Sequence, residues 1–204
     1  MKINIAVLVS GGGTNLQALI DAEKSGIITS GSIKLVISSN PGAYALKRAE
    51  NAQIKAAVCN IKEYKSSDDF ENSMIELLEK NEIDIIVLAG FTYILSEKFT
   101  SLYPNRIINV HPSLIPSFCG KGFYGIHVHR QALAHGVKVT GATVHFVNEI
   151  PDGGKIIMQK AVAVHDGDTP EILQKRVMTE AEWIILPKSV EKVCSEMLKE
   201  KTDE

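Results

Sequence analysis

Hydrophobic and polar positions divide the chain into two alternating kinds of segment. Short runs rich in β-branched residues predict strands: INIAVLVS (3–10), SIKLVISS (32–39), IKAAVC (54–59), IDIIVLAG (83–90) and IINVH (107–111). Between them, helical spacing of apolar residues predicts helices around 15–24, 44–51 and 66–80. In the last of these, Phe70, Met74, Leu77 and Leu78 share a face. The run at 83–90 is almost wholly apolar, as expected of a strand covered on both faces. Past an irregular stretch, a helix is expected near 127–135. KVTGATVHFVN (138–148) and KIIMQKAVAV (155–164) alternate more regularly and are joined by a turn containing PDGG, so they predict an antiparallel pair. A final helix from about Pro170 to Lys199 is expected to break near Pro187, and KEKTDE (199–204) reads as a disordered charged tail.

Strand–helix alternation over the first half implies right-handed crossovers. The expected fold is therefore α/β, a doubly wound and mostly parallel sheet with an antiparallel C-terminal strand pair and a closing helix. It forms one domain over 1–199, with halves at about 1–105 and 106–199, and a charged tail at 200–204. Such sheets bind ligands outside the carboxyl ends of their strands. Three loops fall there: SGGGTN (10–15), AGFTYIL (89–95) and NVHPSLIP (109–116).

Composition narrows the function classes. A net charge of −2 over 204 residues gives no global electrostatic case for nucleic-acid or membrane binding. The three cysteines, Cys59, Cys119 and Cys194, are odd in number and widely spaced, which argues against a disulfide framework and suits a reducing compartment. No stretch approaches the roughly 18 apolar residues of a membrane span. The apolar run at the N-terminus ends in glycines rather than in a cleavage pattern, so a cytoplasmic location is expected.

Candidate chemistry concentrates at those loops. Asn109 and His111 alternate with Val110 and should point to one face of a strand that Pro112 then ends. They are either a satisfied pair of core polar groups or an oxyanion site with a proton source. Asp152, in the turn EIPDGGK, is either an ordinary turn residue or the carboxylate that orients His111 and favours its charged form. No serine or cysteine stands as an obvious nucleophile, so direct attack by an amine or water on a bound acyl donor fits better than a covalent intermediate. SGGGTN lacks the third glycine of a dinucleotide fingerprint and the Gly-Lys-Ser/Thr of a Walker loop. It is either a bare tight turn or a seat for a phosphate monoester on Gly13, Thr14 and Asn15. The six histidines make no evident metal site, and no metal is expected.

NVHPSLIP, the distant Asp152-Gly-Gly, AGFTYIL, VTGATVHFV and AEWIILP together resemble the folate-dependent formyltransferases over essentially the whole chain. SGGGTNLQALI is similar to the branch that uses glycinamide ribonucleotide as acceptor and 10-formyltetrahydrofolate as donor. The resemblance implies a purine-biosynthetic enzyme, a monomer or homodimer, in which Asn109 binds the formyl oxygen, His111 is the general acid and Asp152 keeps it charged. It implies phosphate contacts at Gly13, Thr14 and Asn15, and a ribonucleotide contact at Glu182. It also implies a pterin segment at Thr92, Tyr93, Ile94 and Leu95. Two positions depart from the family: Tyr93 and Ser67 stand where many members carry arginines, with Lys65 the nearby cation that could meet the folate tail. The loop 117–129 is longer than the shortest family versions. A hydrolase of 10-formyltetrahydrofolate, using the same three polar residues on water, is the alternative. Such enzymes usually carry a preceding regulatory domain, whereas this sequence starts at its first strand. A methionyl-tRNA formyltransferase would need a basic nucleic-acid-binding domain.

Overall fold

The computed structural model describes residues 2–203. In chain order the elements begin with β1 (Ile3–Val9), α1 (Thr14–Lys24), β2 (Gly31–Ser38), α2 (Tyr44–Asn51) and β3 (Lys55–Val58). Next come α3 (Ser67–Lys80), β4 (Ile85–Leu88), α4 (Glu97–Leu102), β5 (Ile107–His111) and α5 (Ile126–Ala134). The chain finishes with β6 (Val139–Phe146), β7 (Ile156–Ala163), α6 (Pro170–Val177), a π-helical turn (Met178–Glu182) and α7 (Trp183–Asp203). The sheet order is β3-β2-β1-β4-β5-β6-β7. The first five strands run parallel, whereas β6 and β7 pair antiparallel. This is the expected fold class.

Side-chain alternation along β1 builds the two layers. Ile3, Ile5, Val7 and Val9 join a core with α1, α6 and α7, while Ala6 and Leu8 join a second core with Phe70, Met74 and Leu78 of α3 and Phe99 of α4. Period-two strand geometry is the cause, and it explains why the central strands read as continuous apolar runs. In β5, Ile108 and Val110 take the first face and Ile107 the second, which leaves Asn109 and His111 on the second face. That face opens into a cavity at the strand's carboxyl end.

Three sequence expectations change. The closing helix does not break at Pro187, which lies inside α7; the irregularity is the π turn one turn earlier. Pro187, the fifth residue of α7, removes one ladder N–H without ending the helix. The tail is not disordered: α7 continues through Asp203, and Lys201 Nζ meets Asp84 Oδ1 at 2.7 Å. Glu204 lies outside the described residues. Finally, β4 is only four residues long, because Ala89 and Gly90, the latter at φ 74°, already belong to the turn that follows it.

Candidate active site

Sheet register assembles the polar cluster. Asn109 stands opposite His145 across the β5–β6 pair and beside Leu88 across the β4–β5 pair. A register shift between Val144 and His145 marks a bulge in the β6–β7 pairing, a device that re-aims side chains near sites. The PDGG turn then delivers Asp152, itself at φ 56°. Gly154 is obligatory there, since a Cβ would lie 1.8 Å from the Phe146 carbonyl oxygen.

Asp152 sits between two imidazoles: its Oδ2 is 3.5 Å from His111 Nδ1 and its Oδ1 is 3.5 Å from His145 Nε2. Asn109 Nδ2 lies 3.2 Å from His145 Nε2, and His145 Nδ1 contacts the Phe146 carbonyl at 2.8 Å. His111 Nε2 donates to the Phe118 carbonyl at 2.9 Å, and the Gly120 amide donates to Asp152 Oδ2 at 2.8 Å. One loop, 113–125, thus holds both His111 and Asp152.

Electrostatics in the cavity are a contest. Burial lowers the pKa of His111, and the Asp152 charge and the Phe118 carbonyl only partly oppose it. Burial pushes the Asp152 carboxyl up, but the His145 hydrogen bond, the His111 charge and the Gly120 amide outweigh it and hold it below the usual range. At 3.5 Å the His111–Asp152 contact is longer than a charge-assisted hydrogen bond. His129, from α5, is buried with both ring nitrogens unpartnered among the described residues, and burial lowers its pKa to about 4.

The cavity has a volume of about 610 Å³, and its walls include Asn109, His111 and Asp152 together with Thr92, Tyr93, Ile94 and Leu95. Asn15 and Glu182 also line it. Asn15 Nδ2 donates to Glu182 Oε2 at 2.7 Å. Burial raises the Glu182 carboxyl to about 7, although Asn15 pulls the other way. The Asn15 side chain is therefore engaged with Glu182, and the Thr14 hydroxyl lies 3.9 Å from the Met178 sulfur.

At the glycine loop, Gly13 caps α1 with φ 69°, no side-chain cap and no acidic residue in the first turn, so the helix N-terminus keeps free amides. A Cβ on Gly13 would lie 2.6 Å from Ala45 Cβ. Arg48 Nε donates to the Gly12 carbonyl at 2.8 Å and fixes the loop to α2.

Ser67 and Lys65 are both exposed and line neither this cavity nor the smaller one beside it. The Tyr93 hydroxyl lies beside Ser67 and Glu71, and burial raises its pKa. Sequence reasoning missed His145 and His129. His145 could have been found by pairing ATVHFV against IINVH in antiparallel register, which sets it opposite Asn109. Among the described residues, no group of three or more His, Cys, Asp or Glu side chains converges as metal ligands would. No described helix is long and apolar enough to cross a membrane.

Comparison with known proteins agrees with this architecture. The formyl transferase family matches residues 3–190. The phosphoribosylglycinamide formyltransferase of Escherichia coli (strain K12) is 40% identical over 178 residues, covering 87% of this chain and 81% of that protein. The human trifunctional purine biosynthetic protein adenosine-3 is 45% identical over 194 residues, 95% of this chain but 18% of that protein. This chain therefore spans about a fifth of the length of the trifunctional relatives it matches. The crystal structure of glycinamide ribonucleotide transformylase 1 from Symbiobacterium toebii superposes with a TM-score of 0.89 at 41% identity, covering 96% of this chain and 89% of that one. The chain belongs to the formyl transferase family, in its phosphoribosylglycinamide formyltransferase branch.

Proposed function

We propose that this chain moves the formyl group of 10-formyltetrahydrofolate to the amine of glycinamide ribonucleotide, a step of purine biosynthesis. The carrying observation is one cavity lined by two differently equipped groups: Asn109, His111 and Asp152, and the Asn15–Glu182 pair beside the start of α1. A donor and an acceptor can thus meet without a covalent enzyme intermediate.

The chemistry follows from those groups. The acceptor amine attacks the formyl carbon, and the carbonyl electron pair moves onto oxygen. The Asn109 amide and the His111 N–H are the donors for that oxyanion. The Asn109 amide has a second N–H beside the one facing His145, and His111 Nε2 exchanges the Phe118 carbonyl for the formyl oxygen. The bond from the formyl carbon to the folate N10 then breaks, N10 takes a proton, and the former amine gives one up. Asp152, 3.5 Å from His111, supports the charged imidazole and relays the proton directly or through water. Glu182 accepts hydrogen bonds from ribonucleotide hydroxyls, and the free amides of α1 together with Thr14 meet the phosphate. The pterin lies along 92–95.

A donor labelled at its formyl carbon tests the reading. The label is expected in the amide of formylglycinamide ribonucleotide; label recovered only as free formate would make the enzyme a hydrolase instead.

A further inference from the structure

The glycine loop uses its polar backbone one-sidedly. Every carbonyl from Ser10 to Gly13 is taken. Ser10 accepts from Asn40 Nδ2 at 3.4 Å, Gly11 from the Ala45 amide at 3.1 Å, Gly12 from Arg48 Nε at 2.8 Å and Gly13 from the Gln17 amide at 2.9 Å. The amides of Gly11 to Leu16, by contrast, have no acceptor among the described residues. Only positive dipole ends are thus left free. Asn15 adds an independent sign of a ligand. It is 9% exposed and lines the larger cavity, and its Oδ1 has no donor among the described residues.

Of the four donors that hold this loop, Arg48 alone brings a whole charge. Its guanidinium meets neutral groups: the Gly12 carbonyl, Gln17 Oε1 at 3.0 Å, and the Tyr44 ring, whose centroid is 5.1 Å from Cζ. It forms no ion pair with any described carboxylate. Asp21 instead orients Gln17, accepting from its Nε2 at 2.9 Å, and Glu50 is paired with Lys47 at 2.8 Å. A guanidinium held by neutral acceptors keeps its field, and no acidic residue in the first turn of α1 cancels it. The side chain runs close to the loop: a Cβ on Gly13 would lie 3.3 Å from Arg48 Cδ.

We propose that Arg48 is the positioning residue through which the glycine loop selects a phosphorylated acceptor. It occupies the Gly12 carbonyl, and its uncompensated charge acts on the phosphate through the loop. The assignment rests on the ribonucleotide reading above and extends it from the amides of α1 to a side chain of α2.

The test compares kcat/KM for glycinamide ribonucleotide with kcat/KM for its dephosphorylated riboside, at saturating formyl donor, in wild type, Arg48→Gln and Arg48→Lys. Glutamine keeps an N–H donor without the charge, whereas lysine keeps both. Arg48→Gln should lower the preference for the ribonucleotide about fivefold at low ionic strength, the upper range of an exposed charge pair, through KM rather than kcat. Arg48→Lys should recover most of it. In wild type, added salt should raise KM for the ribonucleotide and leave that for the riboside alone, a readout that needs no variant to fold. The same preference in all three proteins, an equal loss in both variants, or a KM indifferent to salt overturns the Arg48 assignment while leaving formyl transfer intact. A wild-type chain that uses both acceptors equally well overturns the phosphate seat itself, and one that uses neither overturns the proposed function.

Discussion

At Asp152 two opposing influences meet: burial favours its neutral form, and the imidazoles and the Gly120 amide favour its charge. Removing that charge should be felt at His111, whose pKa burial already lowers. In Asp152→Asn the His111 ring loses its main support for the charged form, so its pKa should fall further. An NMR titration of the imidazole resolves this. Turnover at neutral pH should drop by orders of magnitude, with ribonucleotide binding little changed. Equal turnover, or a rise in the pKa of His111, would remove Asp152 from the mechanism. Glu182 carries the opposite sign for a carboxyl, raised from 4.5 to about 7. Between those values the folded chain holds a proton that the unfolded chain has released, so stability falls as pH rises through this window. Glu182→Gln should therefore melt above wild type at pH 8 and alike near pH 4.5, while raising KM for the ribonucleotide. Equal melting at both pH values would mean that Glu182 is not desolvated.

The β1–α1 turn shows how one element end is specified twice. Gly13 needs φ 69° and also the space its missing Cβ leaves against Ala45. Gly13→Ala should cost at least about 1–2 kcal/mol from the left-handed backbone alone, read as a lowered Tm. It should also raise KM for the phosphorylated substrate, because α2 and the loop must separate. An unchanged KM alongside a lowered Tm would confine the loop to a structural role. Elements with a clear apolar pattern were legible from sequence: α2 spans the expected 44–51, and β5 the expected 107–111. A short helix was not. The six residues of α4, capped by the Ser96 hydroxyl on the Phe99 amide, are too few to display a helical period. The π turn also has no local signature, whereas Pro187 carries a strong one and drew the expected break to the wrong turn. Asn109 and His111 were legible as a same-face pair because strand alternation is local. Their meeting with His145 depends on antiparallel register and a bulge, which are properties of paired strands.

At the scale of the molecule, strand order reverses between β1 and β4, and the glycine loop and the 90–95 loop rise from that point. They are tied together there, with the Ser10 amide on the Gly90 carbonyl at 3.1 Å and the Thr92 amide on Ser10 Oγ at 3.0 Å. Both substrates should stabilise the fold by mass action, about 2.7 kcal/mol at a hundredfold excess over Kd. A thermal scan with glycinamide ribonucleotide alone should raise Tm; a shift with the formyl-folate alone and none with the ribonucleotide would empty the proposed acceptor end. The central claim is that one cavity joins a formyl donor to an amine acceptor. Its most direct test follows release of tetrahydrofolate by absorbance from 10-formyltetrahydrofolate, with and without glycinamide ribonucleotide. Release that depends on the ribonucleotide is the predicted result, and release at the same rate without it would contradict the account.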